Sequence, residues 1–233
     1  MNLPTGLTGV FFYLALGLFL ACSLFHLVVA FLEKEKLRKI SKPFCLLFLS
    51  IAAILAVPHY PMLYIAALAG FVGDIILIWK DNKVCVGLGV VSFWIGHGLY
   101  IASMIQILYS AGVFANSPFA WGWMILFVVL VMLLSVYPMA LITNHSKIFT
   151  AFGIFYSTIL ICVGAAAIMG TCLGFAQYFY LVIIGDVCFI ASDSILAYTI
   201  FIKDFKRRDF YIMVTYLLGE AFILSGLVLT LLK

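Results

Sequence analysis

FYLVIIGDVCFIASDSILAYTIFI, residues 179–202, is long and apolar enough to cross a bilayer, yet it carries two aspartates, Asp186 and Asp193. A membrane-spanning helix needs about 20 mostly apolar residues, and this run supplies them. Working outward, two further acids sit in comparable runs: Asp74 in AGFVGDIILIW and Glu220 in YLLGEAFIL. These are four of only nine acidic residues in the chain. An ionisable group at the bilayer centre costs roughly 3 kcal/mol even on lenient insertion scales, so four unpaired carboxyls would cost on the order of 10 kcal/mol. Such carboxyls must be partnered, kept protonated or placed around a wet cavity, and each marks a functional site by default.

Composition agrees with the membrane reading. The chain is 67% hydrophobic and 9% charged, with mean hydropathy +1.26, where soluble domains run about 25% charged. The expected fold is an all-α integral membrane protein, residues 1–233 forming one domain of eight transmembrane helices in a single bundle. Apolar runs broken by charge or by Pro/Gly/Asn clusters place the spans at roughly 7–32, 43–58, 62–79, 84–109, 118–141, 147–170, 175–202 and 209–232. The second and third are split only by Pro58, His59, Tyr60 and Pro61. The first run reads as a span, with no small-residue cleavage site of the signal-peptide kind. The six cysteines lie scattered without a CxxC and read as small core residues without a disulfide framework.

Basic residues report orientation. Loop 33–42 (EKEKLRKISK), Lys80 and Lys83, Lys147, and Lys203 to Arg208 place twelve of thirteen Lys/Arg on one side of the eight-span arrangement. Only Lys233 falls on the other, so the positive-inside rule puts both termini away from the cytosol. The net charge of +4 is confined to these short loops and implies no nucleic-acid partner. A repeat fits the same count. Gly73-Asp74-Ile75-Ile76 recurs as Gly185-Asp186-Val187-Cys188 on the third helix of each half, as a parallel four-plus-four duplication would produce.

The polar residues within spans form a constellation. Asp186 and Asp193 are two helical turns apart, about 10 Å along one face. His97 (FWIGHGLYI) lies within span four and Glu220 within span eight. Counted from the cytosolic ends, Asp74 and Asp193 are shallow, while His97, Asp186 and Glu220 are near the middle, which suggests a cavity opening toward the cytosolic leaflet. Structural readings stand beside the functional ones. On the structural readings, His97 bonds a neighbouring carbonyl, Gly73 and Gly185 allow close helix packing, and Asp186 holds two helices together. Metal binding has weak support, with one intramembrane histidine counted and no HxxxH pair. No GxSxG nucleophile elbow occurs. Carboxyl acid/base chemistry, or proton and ion transfer, remains.

At these residues the chain resembles the YhhN-like lysoplasmalogenase family of eight-helix membrane hydrolases. The matching pieces are GDIILIW (73–79), GHGLYI (96–101), FIASDSILAY (189–198) and MVTYLLGE (213–220). Four pieces in register across the chain are fairly specific. The resemblance implies hydrolysis of the vinyl-ether bond of lysoplasmalogens to a fatty aldehyde and a glycerophospho-ethanolamine or -choline, with no cofactor and no metal. It places Asp74, His97, Asp193 and Tyr216 at the family's polar motif positions. The chain departs from the pattern at Asp186, where a small residue is more usual, and at Glu220, where Gln is; both remain candidate catalytic carboxyls. The implied chemistry suits the residues. A vinyl ether is protonated at carbon, the oxocarbenium ion captures water, and a hemiacetal collapses. One carboxyl must be protonated near neutral pH, which burial favours. A second, ionised carboxylate stabilises the cation and takes a proton from water, a division of labour that glycosidases share.

Asp193 and Asp74 are then the expected acid/base pair, with either one as donor, His97 and Tyr216 orienting, and Glu220 tuning. A lysophospholipid substrate, drawn from the membrane lipids, would set its phosphate against Lys80, Lys83, Lys203 and Arg207 and its head amine against Trp79. The alternative for these residues is ordinary positive-inside and aromatic-belt anchoring. Rival functions are a proton-coupled transporter or channel built on the intramembrane carboxyls, and a non-catalytic lipid-binding membrane protein. The expected location is the endoplasmic reticulum membrane in a eukaryote and the inner membrane in a bacterium. The sequon Asn144-His145-Ser146 falls in a cytosolic loop under this topology and should stay unmodified. Glycosylation-shift analysis in a microsomal system is the check, and sugar on Asn144 would overturn the orientation.

Overall fold

Apolar runs of this length become helices because, away from water, each backbone N–H and C=O has to be satisfied within its own segment. The computed structural model describes residues 3–79, 82–112, 119–143, 146–174 and 177–233. Among these residues the helices are α1 (Gly6–Phe31), α2 (Glu35–Ala56), α3 (Pro61–Ile76, continued by a 3-10 turn over Leu77–Trp79), α4 (Lys83–Ser110), α5 (Phe119–Ile142), α6 (Lys147–Cys172), α7 (Phe179–Phe201) and α8 (Arg208–Leu231). No strand occurs among them. Seven helices, α1 to α4 and α6 to α8, are long and apolar enough to cross a membrane. The protein is a multi-pass all-helical membrane protein, and seven of the eight expected spans are established in this way. Asn144 and His145 of the sequon lie outside the described residues.

Two boundaries are informative. The chain turns at Val57–Tyr60, and Pro61 opens α3 at its first position, where its missing N–H costs nothing. The two runs are therefore separate helices, as read. The basic stretch 33–42, expected as a loop, is mostly helix: α2 begins at Glu35, so Lys36, Arg38, Lys39 and Lys42 stand on its first turns. Lys, Arg and Glu are good helix formers, and Glu35 pairs with Lys39 one turn on at 2.6 Å. Pro43 sits within this helix next to its polar end, where the carbonyl it leaves unbonded is nearest to water.

Helices packed on their sequence neighbours form most of the bundle, and α8 also meets α1, α2 and α3. Its inner face buries Met213, Tyr216, Glu220, Ile223, Leu224 and Leu227. The closest approach is between α7 and α8. A Cβ on Gly185 would come within 2.7 Å of both the Gly219 carbonyl oxygen and the Ile223 nitrogen, and one on Gly226 within 2.9 Å of the Tyr178 carbonyl oxygen. Ser192 ties the same pair of helices by donating to the Ile212 carbonyl at 3.1 Å. Gly73 does a related job on α3, where the Phe93 ring of α4 fills the space a Cβ would take. Both repeated glycines are thus packing devices in the small-residue manner of membrane helices.

At one end of the bundle the α1–α2 and α7–α8 turns meet. The Arg207 N–H donates to Glu33 Oε1 at 3.0 Å, and Arg38 pairs with Asp209 at 3.4 Å. Lys233 reaches Gln177 at the other end. The Gly185 contact carries a prediction. Gly185→Ala should cost about 1–3 kcal/mol, as overpacking does, and lower the melting temperature in detergent. Gly17→Ala, which would put its Cβ into open space, should not lower it.

Candidate active site

Three of the four interior carboxyls are each met by a tyrosine from another helix. Tyr216 on α8 donates to Asp74 Oδ2 on α3 at 2.9 Å. Tyr100 on α4 donates to Glu220 Oε2 on α8 at 2.9 Å. Tyr156 on α6 donates to Asp193 Oδ2 on α7 at 2.5 Å. Asp74 has a second partner: Lys42 Nζ, from the second turn of α2, lies 3.1 Å from Oδ1. Tyr216 and Glu220 stand one turn apart on α8, and Phe189, one turn before Asp193 on α7, packs on Tyr216 with ring centroids 5.5 Å apart, so the three pairs are neighbours.

Local sequence explains the placement. α3 ends at Ile76, so Asp74 lies near the end of its helix. Asp74 stands five residues before Trp79 and Asp193 eight before Phe201, about 8 and 12 Å along their helices. Lys42 is fixed at matching depth by the early start of α2. Between the carboxyls lies an aromatic wall. Phe189 packs on His97 with ring centroids 4.3 Å apart and on Tyr216 at 5.5 Å, and Phe93 packs edge-on to both Phe189 and Tyr216. Asp193 follows Phe189 by one turn, on the same face of α7.

His97 is 1% exposed. Its Nδ1 bonds the Phe93 carbonyl at 2.9 Å, the local bond anticipated as its structural role. That bond requires the hydrogen on Nδ1, which leaves Nε2 as an acceptor; Nε2 is buried and has no partner among the described residues. Asp186 stands apart. Its Oδ2 occupies the space where Gly164 of α6 lacks a side chain, since a Cβ there would lie 2.5 Å away, and its Oδ1 has no partner among the described residues. Its surroundings fit a helix–helix contact between α6 and α7.

Among the described residues, Trp79, Lys203 and Arg207 make no contact with the carboxyls. Trp79 is exposed at the end of the 3-10 turn, and Lys203 is exposed in the α7–α8 turn. Arg207 lies over the Phe31 ring at 3.9 Å. Lys80 lies outside the described residues, as does the side chain of Lys83.

Four polar residues escaped the sequence reading. Lys42 was counted among positive-inside anchors, and nothing in its neighbourhood marks it as an ion-pair partner. Tyr156 carries no signal in the sequence. Tyr100 had one: it follows His97 by three residues within GHGLYI, so it shares a helix face with a candidate site residue. The count of a single intramembrane histidine also needs correcting. His26 in α1 is fully buried, with Nδ1 bonded to Ser41 Oγ of α2 at 2.8 Å. Among the described residues, no three His, Cys, Asp or Glu side chains are grouped so as to hold a metal ion.

The family model described as YhhN matches residues 42–227. The chain belongs to the YhhN family. That family includes lysoplasmalogenases, and the matched segment begins at Lys42 and contains each carboxyl and each tyrosine described above. No curated protein and no solved structure matches the chain. The glutamate of this YhhN-family site yields a prediction. Glu220→Gln keeps a carbonyl oxygen to accept from Tyr100, whereas Glu220→Leu leaves a buried hydroxyl unpaired. The glutamine variant should melt near the wild type, and the leucine variant should lose about 1–3 kcal/mol, read by thermal unfolding in detergent.

Proposed function

We propose that this YhhN-family protein is a lysoplasmalogenase, hydrolysing the vinyl-ether bond of alkenyl-glycerophosphoethanolamine or -choline to a fatty aldehyde and the glycerophospho-alcohol. The observation that carries this reading is the pair Asp74 and Asp193, on different helices, each bonded to a tyrosine in an apolar interior, within a family that includes such hydrolases. A vinyl ether asks for a proton donor and a compensating anion in a low-dielectric site, and two carboxyls with no cofactor meet that need. The acceptor nitrogen of His97 and the hydroxyl of Tyr216 are placed to orient a carboxyl or a water molecule, with Glu220 as the tuning group.

The depth of the pair supports a lysolipid substrate. With one chain and a zwitterionic head, the substrate holds its vinyl ether just below the headgroups, and the two aspartates lie about two turns from one end of their helices. Lys80, Lys83, Lys203 and Arg207 would meet the phosphate and Trp79 the head amine, while the chain runs inward past Phe and Leu side chains. In this reading α5 supplies the eighth span and both termini face away from the cytosol. The four-plus-four repeat rests on the recurrence of Gly73-Asp74 as Gly185-Asp186. We place the enzyme in the endoplasmic reticulum membrane or the bacterial inner membrane, according to its source.

A proton-coupled transporter is the second reading, favoured by the spread of carboxyls in depth from Asp74 to Asp186. Incubating purified protein with a lysoplasmalogen and its ester-linked analogue separates the two. Aldehyde from the first and no product from the second is the expected outcome, whereas proton flux into liposomes without aldehyde would sink the hydrolase. Asp193→Asn should abolish turnover while its melting temperature stays within a few degrees of wild type.

A further inference from the structure

We infer that Lys42 divides the labour between the two aspartates, as a positioning residue that holds Asp74 as the carboxylate and leaves Asp193 as the proton donor. The inference rests on the hydrolase reading and settles which carboxyl does what within it. It starts from the two oxygens of each group. Asp74 has a partner at each: the Lys42 ammonium in ion-pair contact with Oδ1 at 3.1 Å, outside hydrogen-bond alignment, and the Tyr216 hydroxyl donating to Oδ2 at 2.9 Å. An ammonium beside one oxygen and a hydroxyl donor on the other both favour the carboxylate form at rest, and Oδ1, held by charge alone, is free to accept a proton from water during turnover. Its side chain is 1% exposed, and that of Lys42 is 16% exposed, so water contributes little to compensating its charge.

Asp193 is arranged differently. Tyr156 donates to Oδ2, while Oδ1 has no hydrogen-bond partner and no cation in contact among the described residues. Asp193 is also partly exposed, unlike Asp74. It therefore has one oxygen fixed and one available to hold a proton and present it to a substrate. Lys42 is a single charge serving two nearby acids, and it touches only one of them.

The steps balance on this assignment. Asp193 gives its proton to the alkenyl carbon farther from oxygen, so a C–H bond forms and the carboxylic O–H breaks. The cation left on the other carbon and the ether oxygen is compensated by the Asp74 carboxylate. Water adds to that carbon as Asp74 takes one of its protons. The hemiacetal then breaks its bond to the glycerol oxygen, which gains the hydroxyl proton as the aldehyde forms. Passage of the proton from Asp74 back to Asp193 restores the starting state.

Infrared spectra of the purified protein at neutral pH test the assignment without reference to turnover, through the carboxylic-acid C=O stretch. Asp193→Asn should remove a protonated-carboxyl band that Asp74→Asn leaves in place. Lys42→Met should add one, and Lys42→Arg should restore the wild-type spectrum. On lysoplasmalogen, Lys42→Met should lower kcat by at least tenfold with KM within about twofold, with partial recovery in Lys42→Arg. Loss of the band in Asp74→Asn but not in Asp193→Asn overturns the inference, as does a folded Lys42→Met with wild-type spectrum and kcat. If Lys42→Met does not fold, the two asparagine variants decide the matter alone. Absence of aldehyde from wild-type protein, with the bands as expected, removes the hydrolase reading and leaves the charge assignment standing.

Discussion

A carboxyl inside a membrane bundle cannot rely on water, and the arrangement of this protein follows from the donors that four such groups require. Asp74, Asp193 and Glu220 each receive a tyrosine hydroxyl from a different helix, so satisfying them joins α3, α4, α6, α7 and α8. Lys42 adds α2 to the same network. Each bond crosses between helices, which means that none of these six helices can shift along its axis without exposing a polar atom to an apolar surround. In lipid, where apolar surface gains little by choosing protein over acyl chains, such bonds and close packing do much of the holding together.

The close packing is concentrated where the site needs it. α7 and α8 approach through Gly185, Gly219 and Gly226, and these are the helices that carry Asp193, Tyr216 and Glu220. Removing side chains from that seam brings two functional faces to a fixed separation and lets Phe189 and Tyr216 meet beside it. Gly73 serves the same end on α3, admitting the Phe93 ring next to Asp74. Rigidity here would serve the proposed chemistry, because a carboxyl pair working through unequal charge states has to keep those states from being exchanged by small movements.

Inequality is the property that separates this site from a generic buried polar cluster. Asp74 has an ammonium beside one oxygen and a hydroxyl donor on the other, and Asp193 has a hydroxyl donor on one. Glu220 is bonded to Tyr100, and Asp186 rests on Gly164. Four residues of nearly identical chemistry thus occupy four different settings.

Helical class and the family were legible in the sequence, because they depend on composition, span length and short motifs that the chain displays in order. The separation of α2 from α3 was legible too, since Pro61 announces a helix start. What could not be read was pairing. Lys42, Tyr100 and Tyr156 sit far from their partners in sequence, 120 residues in the case of Tyr100 and Glu220, and side chains of these types ordinarily serve as interfacial anchors. The helical start of α2 was likewise hidden, because charge in a membrane protein reads as loop until the fold puts one lysine against a carboxylate. Sequence alone determined that four carboxyls lie within apolar helices long enough to cross a membrane. Tertiary structure decided which donor each one meets, and so how charge is distributed among them, because that depends on which helix faces stand opposite each other across the bundle.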